Sequence, residues 1–211
     1  MSVLAVDTEF LREKTYYPKL CLVQVSTGEE IAAIDPLSID DLTPLVRLFE
    51  DPKIVKVIHA CSQDLEVLLY GMHCACAPVF DTQLAAAFLG MRQQASYASV
   101  VEHYMGVHLP KTESLTDWSR RPLDPEQLVY AEDDVRYLPD IYRCMYERLM
   151  KTNRLGWLMP EMNAYTAPEN FKRDPKEAYF HLKRSNSLTR RQMALAREIC
   201  AWREERAAQH N

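Results

Sequence analysis

The chain has 211 residues, a net charge of −5 and 47% hydrophobic residues, which is typical of a globular protein with one substantial core. It shows no apolar run near the ~18 residues of a membrane span and no secretory leader at its start. We therefore expect a cytoplasmic protein with no membrane partner.

The charge is unevenly distributed along the chain. Residues 171–211 carry a net charge of +5, and the remainder carries −10. This pattern is compatible with a metal-dependent site beside a phosphate-binding surface, and equally with a solvated helical surface. The six cysteines include no CxxC pair, which favours reduced thiols over a zinc site or a disulfide framework.

The predicted elements alternate between strands and helices. Period-2 and continuous apolar runs predict strands at 3–9, 20–26, 31–35, 54–58 and 79–81, with a hairpin turn at 27–30. Helical periodicity with capping signals predicts helices at 41–49, 63–70, 82–89, 96–105, 124 to about 150, and 189–208. Ser62 is the expected N-cap and Gly71 the expected end of the second helix, and Pro139 should kink the long one.

Two irregular segments divide this pattern. Residues 111–122 are polar and aperiodic and predict a loop, and the proline-rich segment 159–177 predicts a linker. We expect an α/β fold with a mixed sheet flanked by helices over 1–158, and a partial all-α segment over 178–211. A single amphipathic helix cannot bury its own apolar face, so this last segment is expected to be incomplete.

Two carboxylates follow the apolar residues of the first strand. Asp7 and Glu9 are spaced i, i+2, so both side chains leave one face of a strand. Acids at the end of a buried strand require a neutralising cation, and oxygen ligands favour Mg²⁺ or Mn²⁺. Two solvated acids at a strand end are the alternative that this pattern leaves open.

Further acids follow on two predicted helices. Asp64 lies in the first turn after the fourth strand, where complementing the helix dipole is its alternative role. Tyr130 and Asp134 are spaced i, i+4 on an inward face of the long helix. Asp133 competes with Asp134 for the ligand role, and packing is the alternative role of Tyr130. Four carboxylates predict two divalent ions about 3.5–4 Å apart, acting on a phosphodiester.

Three stretches match the exonuclease motifs of the DEDD superfamily, in the branch with a tyrosine in the third motif. They are DTEF at 7–10, HACSQDLE at 59–66 and YAEDD at 130–134. The intervening TYYPKL at 15–20, FDTQ at 80–83 and TDWSRRPL at 116–123 resemble the bacterial ribonuclease D family. The resemblance implies a ribonuclease H-like fold and a metal-dependent 3′→5′ exoribonuclease that trims tRNA precursors and other small structured RNAs, releasing 5′-nucleotides. We expect a monomer.

The resemblance also implies roles for individual residues. Asp7, Glu9 and Asp134 would bind the ion that activates water, Asp7 would bridge to a second ion supported by Asp64, and Tyr130 would orient the nucleophile.

Substrate contacts are expected from residues beside these acids. Thr8, Phe10 and His59 would border the terminal nucleotide, although a structural role is the alternative for His59. The loop cations Arg120, Arg121 and Lys111 are candidates for phosphate contacts, with solvated side chains as the alternative.

Residues 178–211 resemble the first helix of a helicase-and-ribonuclease-D C-terminal (HRDC) domain. Two other functions remain open from the sequence: a 3′→5′ exonuclease acting on single-stranded DNA, since sugar preference depends on contacts to the 2′-hydroxyl, and an inactive RNA-binding module.

Overall fold

A mixed five-stranded sheet lies at the centre of the computed structural model, which describes residues 2–12, 15–110 and 116–210. The strands are β1 Ser2–Leu11, β2 Lys19–Ser26, β3 Ile31–Ile34, β4 Ile54–Ile58 and β5 Val79–Asp81. Their order is β3-β2-β1-β4-β5, with β1 antiparallel to β2 and parallel to β4. The predicted α/β fold with a mixed sheet is confirmed.

Helices cover both faces of the sheet. Within the described residues they are α1 Thr43–Glu50, α2 Ser62–Met72, α3 Thr82–Phe88, α4 Tyr97–Met105, α5 Pro125–Arg136, α6 Leu138–Lys151, α7 Leu155–Tyr165 and α8 Arg190–Gln209. Leu4 and Val6 pack against α1 and α2, whereas Ala5 packs on the opposite side with α3, α4, α6 and α7. β1 is therefore buried on both faces, as its apolar run predicts.

The predicted boundaries of α2 are wrong at both ends. Ser62 is the first residue of the helix, and the preceding cap residue, Cys61, makes no side-chain capping bond. Gly71 lies inside the helix, where a Cβ atom would come within 3.1 Å of the Leu20 side chain, so glycine permits a close contact with β2. The helix ends at His73, which adopts a left-handed conformation with φ of 53°.

The long helix predicted from 124 to about 150 is two helices. Asp124 precedes α5 as predicted, and its backbone N–H donates to Gln127 Oε1 at 2.9 Å. The break falls at Tyr137, two residues before Pro139. Proline lacks the N–H that a continuous helix would require, and it is tolerated in the first turn of α6.

The first part of the predicted linker is helical. Helix α7 covers it as far as Tyr165, and the buried side chains of Leu158 and Met162 join the main core. Short 3₁₀ helices follow at Pro168–Phe171, Pro175–His181 and Ser185–Ser187. Whether 159–177 separates two domains remains a prediction.

Helix α8 contacts the body of the protein through polar groups. The Tyr16 hydroxyl donates to Glu204 Oε2 at 2.7 Å, and the Arg173 guanidinium lies 5.0 Å from the centre of the Tyr16 ring while pairing with Glu66. Three apolar side chains of α8 are exposed: Leu195, Ile199 and Trp202. No described helix is both long enough and apolar enough to cross a membrane.

The loop before α5 is anchored on the sheet by Arg121. Its guanidinium donates to both carboxylate oxygens of Asp35, at 2.6 and 2.7 Å, and to the Cys21 carbonyl at 2.8 Å. The Trp118 carbonyl accepts a further bond, at 2.8 Å. This bonding favours a structural role for Arg121 over a phosphate contact, whereas Lys111 lies outside the described residues.

Asp35→Asn should lower the free energy of unfolding by about 1–2 kcal/mol, because Arg121 would keep its charge and lose a bidentate carboxylate. Urea denaturation measures the change. Asp140→Asn is the matched control, since Asp140 pairs with Arg143 at 2.8 Å and both side chains are more than half exposed; its effect should stay within about 0.5 kcal/mol. Equal losses in the two variants would contradict an anchoring role.

Candidate active site

Three elements bring four carboxylates together. Asp7 and Glu9 come from β1 and Asp134 from α5, and one carboxylate oxygen from each lies within 4.8 Å of the others. Asp64 joins them from the first turn of α2, which starts beside the end of β1. The motifs, separated by more than fifty residues, therefore meet at one end of the central strand.

Asp64 is held by the strand that carries the other acids. Its Oδ1 accepts a bond from the Thr8 backbone N–H at 3.1 Å and another from the Thr8 hydroxyl at 2.7 Å. Thr8 is buried. These bonds fix the orientation of Asp64 relative to β1.

Helix α5 crosses the sheet so that its inward face reaches the acids. Tyr130 and Asp134 share that face, and burial together with the charge of Asp134 raises the pKa of Tyr130. The centres of the Tyr130 and Trp118 rings lie 6.0 Å apart, and Trp118 is buried. The Asp35–Arg121 anchor therefore places the side chain that packs on Tyr130.

Burial raises the pKa of every acid in the group, and the charges of other members add to the rise at Asp7, Glu9 and Asp134. Burial, with the charges of Asp64, Asp134 and Glu9, raises the pKa of Asp7 well above its usual range. Burial, followed by Asp134 and Asp64, raises the pKa of Glu9 to about 8. Burial is also the main reason that the pKa of Asp134 rises to about 7 and that of Asp64 to about 6.

No Lys, Arg or His among the described residues forms an ion pair with these four acids. Clustered carboxylates that lack a counter-charge and resist ionisation fit a divalent cation, which would favour their charged form. The ligands are all oxygens, as Mg²⁺ and Mn²⁺ prefer. The residues present therefore fit the predicted metal site.

Asp133 makes its contacts with groups other than these four acids. Its Oδ1 accepts a bond from Arg136 Nε at 3.0 Å, and its backbone carbonyl accepts one from the Tyr97 hydroxyl at 2.9 Å. The geometry thus favours Asp134 over Asp133 as the ligand on α5.

Of the three predicted substrate residues, Thr8 and Phe10 adjoin the acids on β1, whereas the polar groups of Thr8 and His59 are used within the protein. Thr8 donates to Asp64, as described above. His59 Nδ1 lies 2.9 Å from Thr82 Oγ1, and its Nε2 lies 3.1 Å from the Ala95 carbonyl oxygen. Phe10 is partly buried against the α1–α2 side of the core. Any substrate contact by His59 would therefore come from its ring carbons.

Two buried polar residues near the site were not predicted from the sequence. Asp81 is buried and accepts backbone N–H groups from Cys61 at 2.9 Å and Gln83 at 2.7 Å, so it joins the starts of α2 and α3. Gln24 is fully buried in β2, and neither of its amide atoms has a partner within the described part of the chain. Burying an unpaired amide costs about 1–3 kcal/mol. A glutamine within an apolar strand was the available signal.

A cavity of about 640 Å³ opens beside Tyr130 and Asp134. Its walls come from α4, α5 and the segments that precede α5. They are predominantly apolar and include Tyr97, Leu109 and Val129.

Comparison with known proteins identifies similar chains. A profile described as 3′-5′ exonuclease matches residues 1–150. Ribonuclease D of Pseudomonas paraeruginosa is 45% identical over 208 residues, which are 99% of this chain and 55% of that protein. The chain spans about half the length of the curated relatives that it matches.

Two solved structures extend the similarity to the fold. RNase D of Escherichia coli, described as an exoribonuclease involved in structured RNA processing, has a TM-score of 0.92 and 38% identity over 99% of this chain and 56% of that one. The catalytic core of RRP6 from Trypanosoma brucei has a TM-score of 0.76 and 29% identity, covering 99% of this chain and 59% of that one.

Glu9→Gln should stabilise the metal-free protein increasingly as pH rises from about 4.5 to about 8. Unfolded Glu9 ionises near pH 4.5, whereas folded Glu9 keeps its proton to about pH 8, so wild-type stability falls across this interval. Urea denaturation in EDTA at about pH 5 and about pH 8 measures the difference from wild type. Glu147→Gln, an exposed change on α6, is the control and should show no such trend. A difference that shrinks as pH rises would contradict the raised pKa.

Proposed function

The chain belongs to the 3′-5′ exonuclease family, and on this premise we propose that it is a metal-dependent 3′→5′ exoribonuclease of the ribonuclease D type. The observation that carries the proposal is the meeting of Asp7, Glu9, Asp64 and Asp134 beside an open cavity. The proposed substrates are the 3′ ends of tRNA precursors and other small structured RNAs, with 5′-nucleotides as products.

The four acids are the proposed metal ligands. Asp7, Glu9 and Asp134 would hold one divalent ion, and Asp7 and Asp64 a second. Mg²⁺ or Mn²⁺ bound there would supply positive charge to the scissile phosphate and to the attacking water. The bonds from Thr8 leave Asp64 one carboxylate oxygen, Oδ2, without a bond from Thr8 and able to take part in this role.

Tyr130 is proposed to orient the attacking water. Burial and the neighbouring carboxylates raise the pKa of Tyr130 above its ordinary value of 10, so the phenol stays protonated at neutral pH. A protonated phenol holds water by a hydrogen bond and is not the base that removes its proton. The i, i+4 spacing places this hydroxyl on the same helical face as Asp134, one of the proposed metal ligands.

The cavity is proposed to receive the 3′-terminal nucleotide. Its apolar wall, with Tyr97, Leu109 and Val129, suits the face of a base, and Asp134 contributes to its lining. Stacking on such walls accepts any base, because every base has an aromatic face. The cavity therefore supports trimming with little sequence preference.

Two alternatives are separated by experiment. A DNA exonuclease would use the same acids, because sugar preference depends on contacts to the 2′-hydroxyl. An inactive RNA-binding module is disfavoured, because it gains nothing from crowding together four acids with raised pKa values. The monomeric state, the cytoplasmic location and the partial HRDC domain remain predictions.

Asp134→Asn should reduce the rate of hydrolysis of a 5′-labelled single-stranded RNA by more than about 100-fold. Loss of a residue that only bonds to a metal ligand typically costs about 10- to 100-fold, and loss of a ligand itself should cost more. The assay uses Mg²⁺ or Mn²⁺, a parallel reaction with EDTA, and DNA of the same sequence. Glu132→Gln is the matched control on the same helix, because Glu132 pairs with Arg136 and does not line the cavity, and it should retain most of the activity.

The ladder of products distinguishes the functions. Shortening from the 3′ end that is faster on RNA and abolished by EDTA would support the proposal. Shortening of DNA alone would move the protein to the DNA alternative. Full activity in Asp134→Asn would overturn the assignment of the site.

Tyr130→Phe should lower kcat by up to about 100-fold, because the attacking water loses its orienting hydrogen bond. The affinity for Mn²⁺ should change little, since the four carboxylates remain. Single-turnover hydrolysis and Mn²⁺ titration measure the two quantities, with Tyr146→Phe, an exposed tyrosine on α6, as the control. If Tyr130→Phe keeps the wild-type kcat, Tyr130 does not orient the attacking water and has only a packing role.

A further inference from the structure

Gln24 is a buried polar residue that the proposed mechanism does not use. It lies in the middle of β2 and has no solvent-exposed surface. Neither Nε2 nor Oε1 has a hydrogen-bond partner among the described residues. Buried side-chain amides in native proteins are almost always bonded, so this one requires an explanation.

The strand register places Gln24 directly beside the metal ligands. Its Cα is the cross-strand partner of Asp7, and the adjacent pair with side chains on the same face is Leu22 with Glu9. Residues opposite one another in antiparallel strands project from one face, with Cβ atoms about 4.5–5.5 Å apart. The Gln24 side chain therefore leaves the sheet next to Asp7, on the face that α5 covers.

We propose that Gln24 is a positioning residue for Asp7: in the metal-bound state its Nε2 donates to an Asp7 carboxylate oxygen and fixes the orientation in which Asp7 ligates. This inference rests on the proposed function, because it requires Asp7 to bind a divalent ion. It assigns a hydrogen-bond partner to the Gln24 amide, and it adds to the site a residue that lies outside the three sequence motifs.

The neighbours of Gln24 argue against a packing role. Leu22, on the same face of β2, is apolar and buried. An apolar side chain at position 24 would pack equally well there, and it would avoid the free-energy cost of removing an amide from water. Ser26, two residues further along β2 on the same face, has a partner within the protein, because its Oγ accepts a hydrogen bond from the Gly28 N–H at 3.1 Å. Gln24 differs from both in being polar without a partner.

The test is the Mn²⁺ affinity of the full chain, measured by electron paramagnetic resonance without substrate, together with thermal unfolding in EDTA. Gln24→Met keeps the length of the side chain and removes the amide. It should unfold at the same temperature as wild type or higher, yet bind Mn²⁺ about 10- to 100-fold more weakly, as when an outer-shell partner of a ligand is lost. Ser26→Ala is the matched control and should lower the unfolding temperature while leaving Mn²⁺ affinity unchanged.

The outcomes separate this inference from the proposed function. Wild-type Mn²⁺ affinity in Gln24→Met would overturn the role of Gln24 and leave the exoribonuclease proposal intact. Failure of the wild-type protein to bind Mn²⁺ would instead contradict the metal site itself. If Gln24→Met does not fold, Gln24→Leu, which also removes the amide and matches the neighbouring Leu22, replaces it; weakened Mn²⁺ binding supports the inference and unchanged binding overturns it.

Discussion

Repulsion among carboxylates that are at least partly buried is the constraint on which the rest of this structure depends. Asp7, Glu9 and Asp134 hold oxygens within 4.8 Å of one another, with Asp64 beside them. Such a group is unfavourable in the folded protein unless a cation neutralises it or some of its members keep their protons. The raised pKa values express this cost, and metal binding would remove it. Affinity for a divalent ion is thus built into the fold at some expense of metal-free stability.

The surrounding structure holds the acids in place against this repulsion. Thr8 bonds Asp64 to the strand that carries Asp7 and Glu9. On the opposite side, the Arg121–Asp35 pair fixes the loop whose Trp118 packs on Tyr130. These supports come from rigid, mostly buried elements, which can keep a site close to its working geometry before the substrate arrives.

The sequence by itself determined the elements whose information is local. The apolar run of β1 and the i, i+2 spacing of Asp7 and Glu9 predict a buried strand with both acids on one face, and the structure has this arrangement. The i, i+4 spacing of Tyr130 and Asp134 likewise predicts one helical face, because helix periodicity is a property of the chain alone. The motif order added the expectation that these elements meet, and the comparisons place the chain in the 3′-5′ exonuclease family.

Tertiary contacts alone decided the remainder. Gly71 has the usual signal for a helix end, yet it lies inside α2 because Leu20 packs against it. Both nitrogens of His59 meet groups that lie more than twenty residues away along the chain, so its structural role was not visible locally. Gln24 acquires its significance from strand register, which places it opposite Asp7. Local propensity and spacing fix which face a side chain takes, whereas its partner depends on which distant segments pack there.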